Sequence, residues 1–338
     1  MKKLVCVEPG RFEYTQVDIP QPSAGESLLK VKKIGICGTD IHAFAGNQPF
    51  FSYPRVLGHE VAAEYIQGDA PGYNPGDKVT VIPYFTKGKD IASRMGKPNC
   101  ASDMQVLGVH IDGAMAEYVV VPSDALRKLE GLDFDDLVLV EPLAIGAHGL
   151  HRAQLVPAEN VLVVGAGPIG LGIIALASKA GGRVIALDMD VKRLAMATAL
   201  GANTVINAAD SDVQEQIAAH TGGDMASLIF DASGSRAAIN NAFSFMAHGA
   251  RYVLVGLQKQ EIVFSHPEFH KREGTLMSSR NALSTDFQYV MQRLSTGEIS
   301  ASAFITRRVA FDQAAALFSD PSKPLLGGIK TVIEFDNP

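Results

Sequence analysis

The apolar positions of this chain follow two rhythms. Up to about residue 150 they come in short runs broken by turn residues. Residues 27–34 (SLLKVKKI) alternate roughly apolar with polar, the period of a half-buried strand, and 78–82 and 117–121 are further candidates. Pro20, Pro22, Pro71 and Pro75, with nearby Asn and Gly residues, punctuate these runs. The opening residues 1–7 (MKKLVCV) read as a first strand and not as a leader, since their two lysines precede no long apolar stretch and no small-residue cleavage site. A β-rich domain with loops is expected here.

From about residue 155 the rhythm changes. Residues 161–164 (VLVV) are continuously apolar, which suits a parallel strand covered on both faces. A helix is expected over 168–180, a strand over 184–187 ending at Asp188, a helix over 191–200 and a strand over 204–206. A helix over 213–220, a strand over 228–230, a helix over 237–247 and a strand over 252–255 complete the series. Alternating strands and helices predict an α/β fold, a doubly wound parallel sheet of the Rossmann type. Beyond 280 come helices at 286–294 and 312–318 and a last strand at 329–335. This tail is expected to return to the first domain. The predicted organisation is therefore 1–150 with 283–338 as a β-rich domain, and 151–282 as an α/β domain.

Composition narrows the function classes. A chain of 338 residues suggests about two domains. With 30 basic and 36 acidic residues the formal charge is −6, so there is no basic footprint for nucleic acid or an anionic membrane. The apolar segment 168–180 falls short of the roughly 20 residues that span a bilayer. Three cysteines, Cys6, Cys37 and Cys100, are too few and too odd for a disulfide framework and fit a reducing compartment. The expectation is a cytoplasmic enzyme acting on a small molecule.

The candidate chemistry begins at GAGPIG (165–170), which follows the apolar strand and opens a helix. Gly165 permits the tight turn, Gly167 lets backbone approach a pyrophosphate, and Gly170 allows close helix packing. Pro168 suits the first helical turn, with Ile169 beside it, and the helix N-terminus offers free N–H groups to phosphate. Asp188, at the end of the next strand, can accept from ribose hydroxyls and repels a 2′-phosphate, which favours NAD over NADP. Lys192 and Arg193 work against that preference, because either cation can approach a phosphate. Val255, Gly256 and Leu257 end a parallel strand, where such sheets bind ligands, and are candidate nicotinamide contacts.

A metal site is read from three separated stretches: Cys37 in GICGTDIH (35–42), His59 and Glu60 in GHE (58–60), and Glu141 in EPL (141–143). Thiolate, imidazole and carboxylate together are a zinc donor set that can leave a position open. Glu141 lies in an apolar stretch, where a metal compensates its charge; the alternative is that it pairs with a base or caps a helix. Thr39 and His42 flank the same loop and can pass a proton from an alcohol to solvent, although His42 alone is also compatible with an ordinary loop histidine. Asp40 is a candidate for orienting a ligand.

GICGTDIH, GHE, EPL and GAGPIG, in this order and across essentially the whole chain, resemble the zinc-dependent medium-chain dehydrogenase/reductase family. The resemblance implies a GroES-like β-rich catalytic domain joined to a Rossmann domain. It implies zinc on Cys37, His59 and Glu141, with Glu60 an adjacent or exchanging carboxylate, and Thr39 and His42 as a proton relay. GNQPFFSYPRVLGHE (46–60) and PEFHKREGTLMSSRNA (267–282) are similar to sugar-acid and polyol dehydrogenases of the L-galactonate 5-dehydrogenase type. Oxidation of a secondary alcohol of an aldonate to a keto sugar acid, with hydride transfer to NAD, is the leading expectation; a general polyol dehydrogenase is the alternative, and a non-catalytic nucleotide-binding protein is a third. Arg280 can pair a substrate carboxylate through its planar fork. His266, His270, Lys271 and Arg272 add positive charge there, or else form a solvated cluster or cofactor contacts.

One departure stands out. Many relatives carry a second, structural zinc on four cysteines, but residues 86–100 here read TKGKDIASRMGKPNC, with only Cys100 remaining. A single thiolate cannot build that cage, so one catalytic zinc and no structural zinc is expected. Finally, an apolar strand near 252–264 is expected to pair across a two-fold axis, giving a homo-oligomer, either dimer or tetramer.

Overall fold

Strand Glu26–Gly35 explains most of the first unit. Its Leu28, Leu29, Val31 and Ile34 are buried, and it pairs antiparallel with Glu60–Gly68, Tyr118–Pro122 and Lys330–Glu334. In this computed structural model, which describes residues 1–48, 51–319 and 328–335, it is a central member of a seven-stranded sheet. Lys78–Val81 and Leu126–Arg127 extend the sheet beyond Glu60–Gly68, and Ile305–Ala310 extends it beyond Lys330–Glu334. A three-stranded sheet of Arg11–Gln16, Lys2–Glu8 and Arg55–Val56 lies in the same unit. Leu4, Leu29, Ile34, Leu57, Val61, Met115 and Ile333 form part of one apolar cluster here. The C-terminal strand thus does return to the N-terminal domain, with Ile333 opposite Ile34.

The second unit is built on six parallel strands in the order Thr204–Asn207, Arg183–Asp188, Asn160–Val164, Ala226–Asp231, Met246–Leu254, Thr275–Ser278. The order reverses beside Asn160–Val164, the switch point at which doubly wound sheets bind ligands. Helices Pro168–Lys179, Val191–Ala199, Val213–His220 and Arg236–Ala242 connect the strands.

The chain divides into Met1–Glu141 with Leu283–Pro338, and Pro142–Ala282. The first division falls inside helix Phe134–Ala153, ahead of the boundary expected at 150, because a continuous helix carries no linker composition to mark it. Two other expectations need correction. The helix expected over 237–247 ends at Ala242; a 3-10 turn, Phe243–Phe245, follows, and Met246 already belongs to a strand, paired with Ala226. The apolar run there fits either period, and sheet pairing decides. The strand near 252–264 is also not a free edge. Met246–Leu254 is interior, and 255–265 carries no strand; Thr275–Ser278 pairs on only one side among the described residues. No helix among the described residues is long and apolar enough to cross a membrane.

Candidate metal and coenzyme sites

The register of the first sheet assembles the metal site. Gly35, the last residue of its strand, lies opposite Glu60, so the Cys37 turn and the His59 turn leave the sheet side by side. Asp40 ties the two turns together: Oδ2 accepts from the Cys37 N–H at 2.9 Å and Oδ1 from the Gly58 N–H at 3.1 Å. Asp40 is 1% exposed. Burial raises its pKa, opposed by His59 and by these N–H donors. Ligand atoms of Cys37, His59 and Glu60 all lie within 4.8 Å of one another. His59 is buried, and its Nδ1 has no hydrogen-bond partner among the described residues; Asp40 Oδ1 is 4.0 Å away. A buried orphaned nitrogen beside a thiol and a carboxylate is a coordination set for zinc, and the residues present fit the metal. Burial alone lowers the pKa of His59, but Cys37, Asp40 and Glu141 outweigh it and drive the value well up.

The two carboxylates are held differently. Glu60 is 1% exposed and both its oxygens accept from Lys330 Nζ, at 2.6 and 2.7 Å. Lys330 also donates to the Ile36 carbonyl at 3.2 Å and is 3% exposed. Burial lowers the pKa of Lys330, and Glu60, Cys37 and Glu141 together more than restore it. Gly35 leaves room for this pair, since a Cβ there would fall 1.9 Å from Glu60 Oε2. Glu141 lies outside the close group. It is 4% exposed, and its Oε1 accepts from the hydroxyl of Tyr84. Burial raises its pKa, opposed chiefly by His59. Sequence reading passed over Lys330 and Tyr84. The available signals were weak: a lysine within an apolar last strand, and a tyrosine after the proline that ends another.

Thr39 and His42 sit on helix Gly38–Phe44, of which Cys37 is the N-cap. His42 is exposed, and its Nδ1 lies 2.8 Å from Asn47 Oδ1. Donation from Nδ1 to that oxygen leaves Nε2 as the acceptor. Pro49 and Phe50, in the stretch that suggested sugar acids, lie outside the described residues.

In the second unit the glycine fingerprint takes the expected conformations. Gly165 has φ +94°, and a Cβ there would meet Ser233 at 2.8 Å. A Cβ on Gly170 would fall 1.8 Å from the Gly165 carbonyl oxygen, whereas nothing lies within 4 Å of one on Gly167. Backbone therefore packs tightly at the first and third glycines and leaves open space at the second, where a pyrophosphate needs it. Pro168 opens helix Pro168–Lys179 with Ile169 next. Asp188 ends its strand and accepts from the Ala166 N–H at 2.6 Å, bracing the fingerprint turn. Arg193 Nε lies 3.9 Å from Asp190. Val255 and Gly256 follow strand Met246–Leu254, and both donate N–H groups to the Asp231 carbonyl at 2.9 Å. The buried carboxylate of Asp231, also missed from sequence, accepts from the Ser233 and Gly234 N–H groups at 3.2 Å and fixes the neighbouring strand end. Leu257 is 76% exposed. Arg280 is exposed just beyond strand Thr275–Ser278. Of the basic group near it, Arg272 pairs with Glu268 at 2.7 Å, and the rings of His266 and His270 are 5.9 Å apart.

Comparison with known proteins agrees with this architecture. The alcohol dehydrogenase GroES-like domain matches residues 23–131, and the zinc-binding dehydrogenase domain matches 168–296. The chain is 42% identical over 321 residues to L-galactonate-5-dehydrogenase of Escherichia coli (strain K12), covering 94% of each. Among solved structures it is similar to alcohol dehydrogenase rspB of Escherichia coli CFT073 complexed with NADH. The TM-score is 0.91 and the identity 32%, with 99% of each chain covered. A zinc-binding dehydrogenase of Sinorhizobium meliloti 1021 bound to NADP gives TM-score 0.92 at 25% identity, again with 99% of each covered. With both domain families matched in order and a relative this similar along nearly its whole length, the chain belongs to the zinc-type medium-chain dehydrogenases, oxidoreductases that join a GroES-like domain to a Rossmann domain.

Proposed function

We propose that the protein oxidises a secondary alcohol of an L-galactonate-like aldonate to the keto sugar acid, transferring hydride to NAD. The observation that carries the chemistry is the close group of Cys37, His59 and Glu60 around an unpartnered, buried His59 nitrogen. The substrate class rests on the similarity to L-galactonate-5-dehydrogenase. Cys37, His59 and Glu141 are the ligands we assign to the metal, and Glu60, which lies in the close group but is bonded to Lys330, is the adjacent, exchanging carboxylate. When bound, zinc supplies Lewis acidity that favours loss of an alcohol proton, and NAD supplies the hydride acceptor. The chain's own residues handle the proton. Thr39 Oγ1 accepts it while giving up its own hydroxyl proton, and His42, exposed and with Nε2 free to accept, passes a proton to solvent. Arg280 has the planar fork that a substrate carboxylate needs.

On the coenzyme side, Gly165, Gly167 and Gly170 shape the pyrophosphate turn, and Asp188 favours NAD over NADP by charge. A homo-oligomer is the assembly we expect, through the one-sided strand Thr275–Ser278, and light scattering measures it. The three free cysteines suit a reducing, cytoplasmic setting.

The test is a panel of aldonates, including L-galactonate and its epimers, and the matching alditols, followed by NADH or NADPH absorbance with zinc supplied. Preference for an aldonate with NAD supports the reading. Equal or faster turnover of alditols favours a general polyol dehydrogenase, and no turnover of any member with zinc bound argues against a dehydrogenase of this class.

A further inference from the structure

The two buried carboxylates differ in one chemical respect. Glu60 is bonded through both oxygens to a cation, so its charge is cancelled where it lies. Glu141 is bonded through Oε1 to a phenol, which orients a carboxylate without neutralising it. Among the described residues this carboxylate, 4% exposed, has a hydrogen bond only from a neutral donor, and His59 and Lys330 act on its charge without bonding to it. Burial of such a charge is costly, and a cation bound directly to it offsets that cost. The phenol is itself fixed. Tyr84 lies in the short strand Tyr84–Phe85, opposite Val106, and its ring meets Phe287 edge-on at 6.3 Å and 79°. Backbone pairing and ring packing together set where the hydroxyl points.

From this, and resting on the assignment of Glu141 as a metal ligand, we infer that Tyr84 is a positioning residue of the metal centre. Its hydroxyl holds Oε1, so that the charge of Glu141 stays available to the ion and the carboxylate is not free to rotate away. Hydrogen-bond partners of metal ligands commonly govern affinity about 10- to 100-fold, and Tyr84 belongs in that class. The same contact couples the metal centre to the 86–106 lobe, since the strand that carries Tyr84 pairs with Gln105–Val106 at the lobe's far end.

The experiment compares zinc affinity, by competition with a chromophoric chelator, in full-length wild type, Tyr84→Phe, Glu141→Ala and the double variant. Visible spectra of the cobalt-substituted proteins accompany it. Tyr84→Phe keeps the ring and its packing but loses the bond to Glu141, so the thermal unfolding midpoint of the metal-free protein is expected to fall modestly while NADH affinity matches wild type. Its zinc affinity is expected to fall about 10- to 100-fold and its cobalt bands to shift. In the Glu141→Ala background, Tyr84→Phe is expected to add nothing, because its target is gone. Unchanged zinc affinity and cobalt bands in Tyr84→Phe, with weakened binding in Glu141→Ala, overturn the role of Tyr84 and leave the ligand assignment standing. An equal loss with and without Glu141 also overturns it, since the tyrosine then acts elsewhere. Wild-type affinity in Glu141→Ala overturns the ligand assignment itself.

Discussion

At the scale of single residues, the Lys330–Glu60 pair is the contact most open to direct test. Both groups are almost fully buried, so removing one partner leaves the other charge without compensation. Lys330→Met is expected to destabilise the metal-free protein by about 3–5 kcal/mol in urea unfolding, and joining it with Glu60→Met to recover most of the loss. A single variant as stable as wild type would show that the ion pair contributes nothing to stability. Asp188 offers a second test. It supports the fingerprint turn and is the expected partner of ribose hydroxyls, so Asp188→Asn should weaken NADH binding about 10-fold in a fluorescence titration. NADPH should weaken less, because charge repulsion is lifted at the same time. Equal losses for both would remove Asp188 from cofactor choice. The closeness of Cys37, His59 and Glu60 was legible because thiolate, imidazole and carboxylate have few other reasons to sit together in Gly-rich turns, whereas Glu141 lies outside that group. Lys330 and Tyr84 were not legible, because a local pattern reports which face a side chain takes but not which distant side chain it meets.

At the scale of elements, the start of helix Phe134–Ala153 is held by charge. Asp135 accepts from Arg308 through both oxygens, at 2.8 and 2.7 Å, and from Lys33 at 2.6 Å. The helix thereby joins strands Ile305–Ala310 and Glu26–Gly35. Arg308 first, then Lys33, hold the Asp135 carboxyl at about 2 despite partial burial. Because the folded value lies below the unfolded value of about 3.9, the stabilisation is fully present above that pH. It is lost as pH falls through about 2. Asp135→Asn is expected to lower the urea midpoint at pH 7, and the gap to wild type should close between about pH 4 and pH 2. A gap that persists unchanged to the acid end would mean that the ion pairs contribute nothing. Neither partner strand could be named from sequence, since the contact joins residues far apart in the chain. The parallel strands were legible, because burial on both faces writes them as unbroken apolar runs. The strand Met246–Leu254 was misread over its first residues, where MAHGA suits a helix as well until Ala226 pairs with it.

At the scale of the molecule, the return of the C-terminal strand to the first sheet followed from the pattern of the tail, whereas the domain boundary, lying within a helix, left no mark. The missing cysteines carry the expectation of a single zinc, but they do not say what holds the 86–106 lobe. In the structure, carboxylates bind its backbone. Asp90 accepts from the Ser93 N–H at 2.9 Å and the Ser102 N–H at 2.7 Å, and Asp103 accepts from the Lys87 N–H at 3.0 Å. Each aspartate fastens backbone across the lobe. These backbone donors hold Asp90 at about 2, so it remains an acceptor throughout the neutral range. Two consequences separate this lobe from a metal-held one. Elemental analysis should find about one zinc per chain, because three donors of the right kind converge at only one described place. Stripping that ion should abolish alcohol oxidation while hydrogen exchange across residues 86–106 stays as slow as before. Asp90→Ala should have the opposite signature, faster exchange in the lobe with the zinc retained. A second equivalent of zinc, or a lobe that loosens on chelation, would mean that metal and not carboxylate holds it.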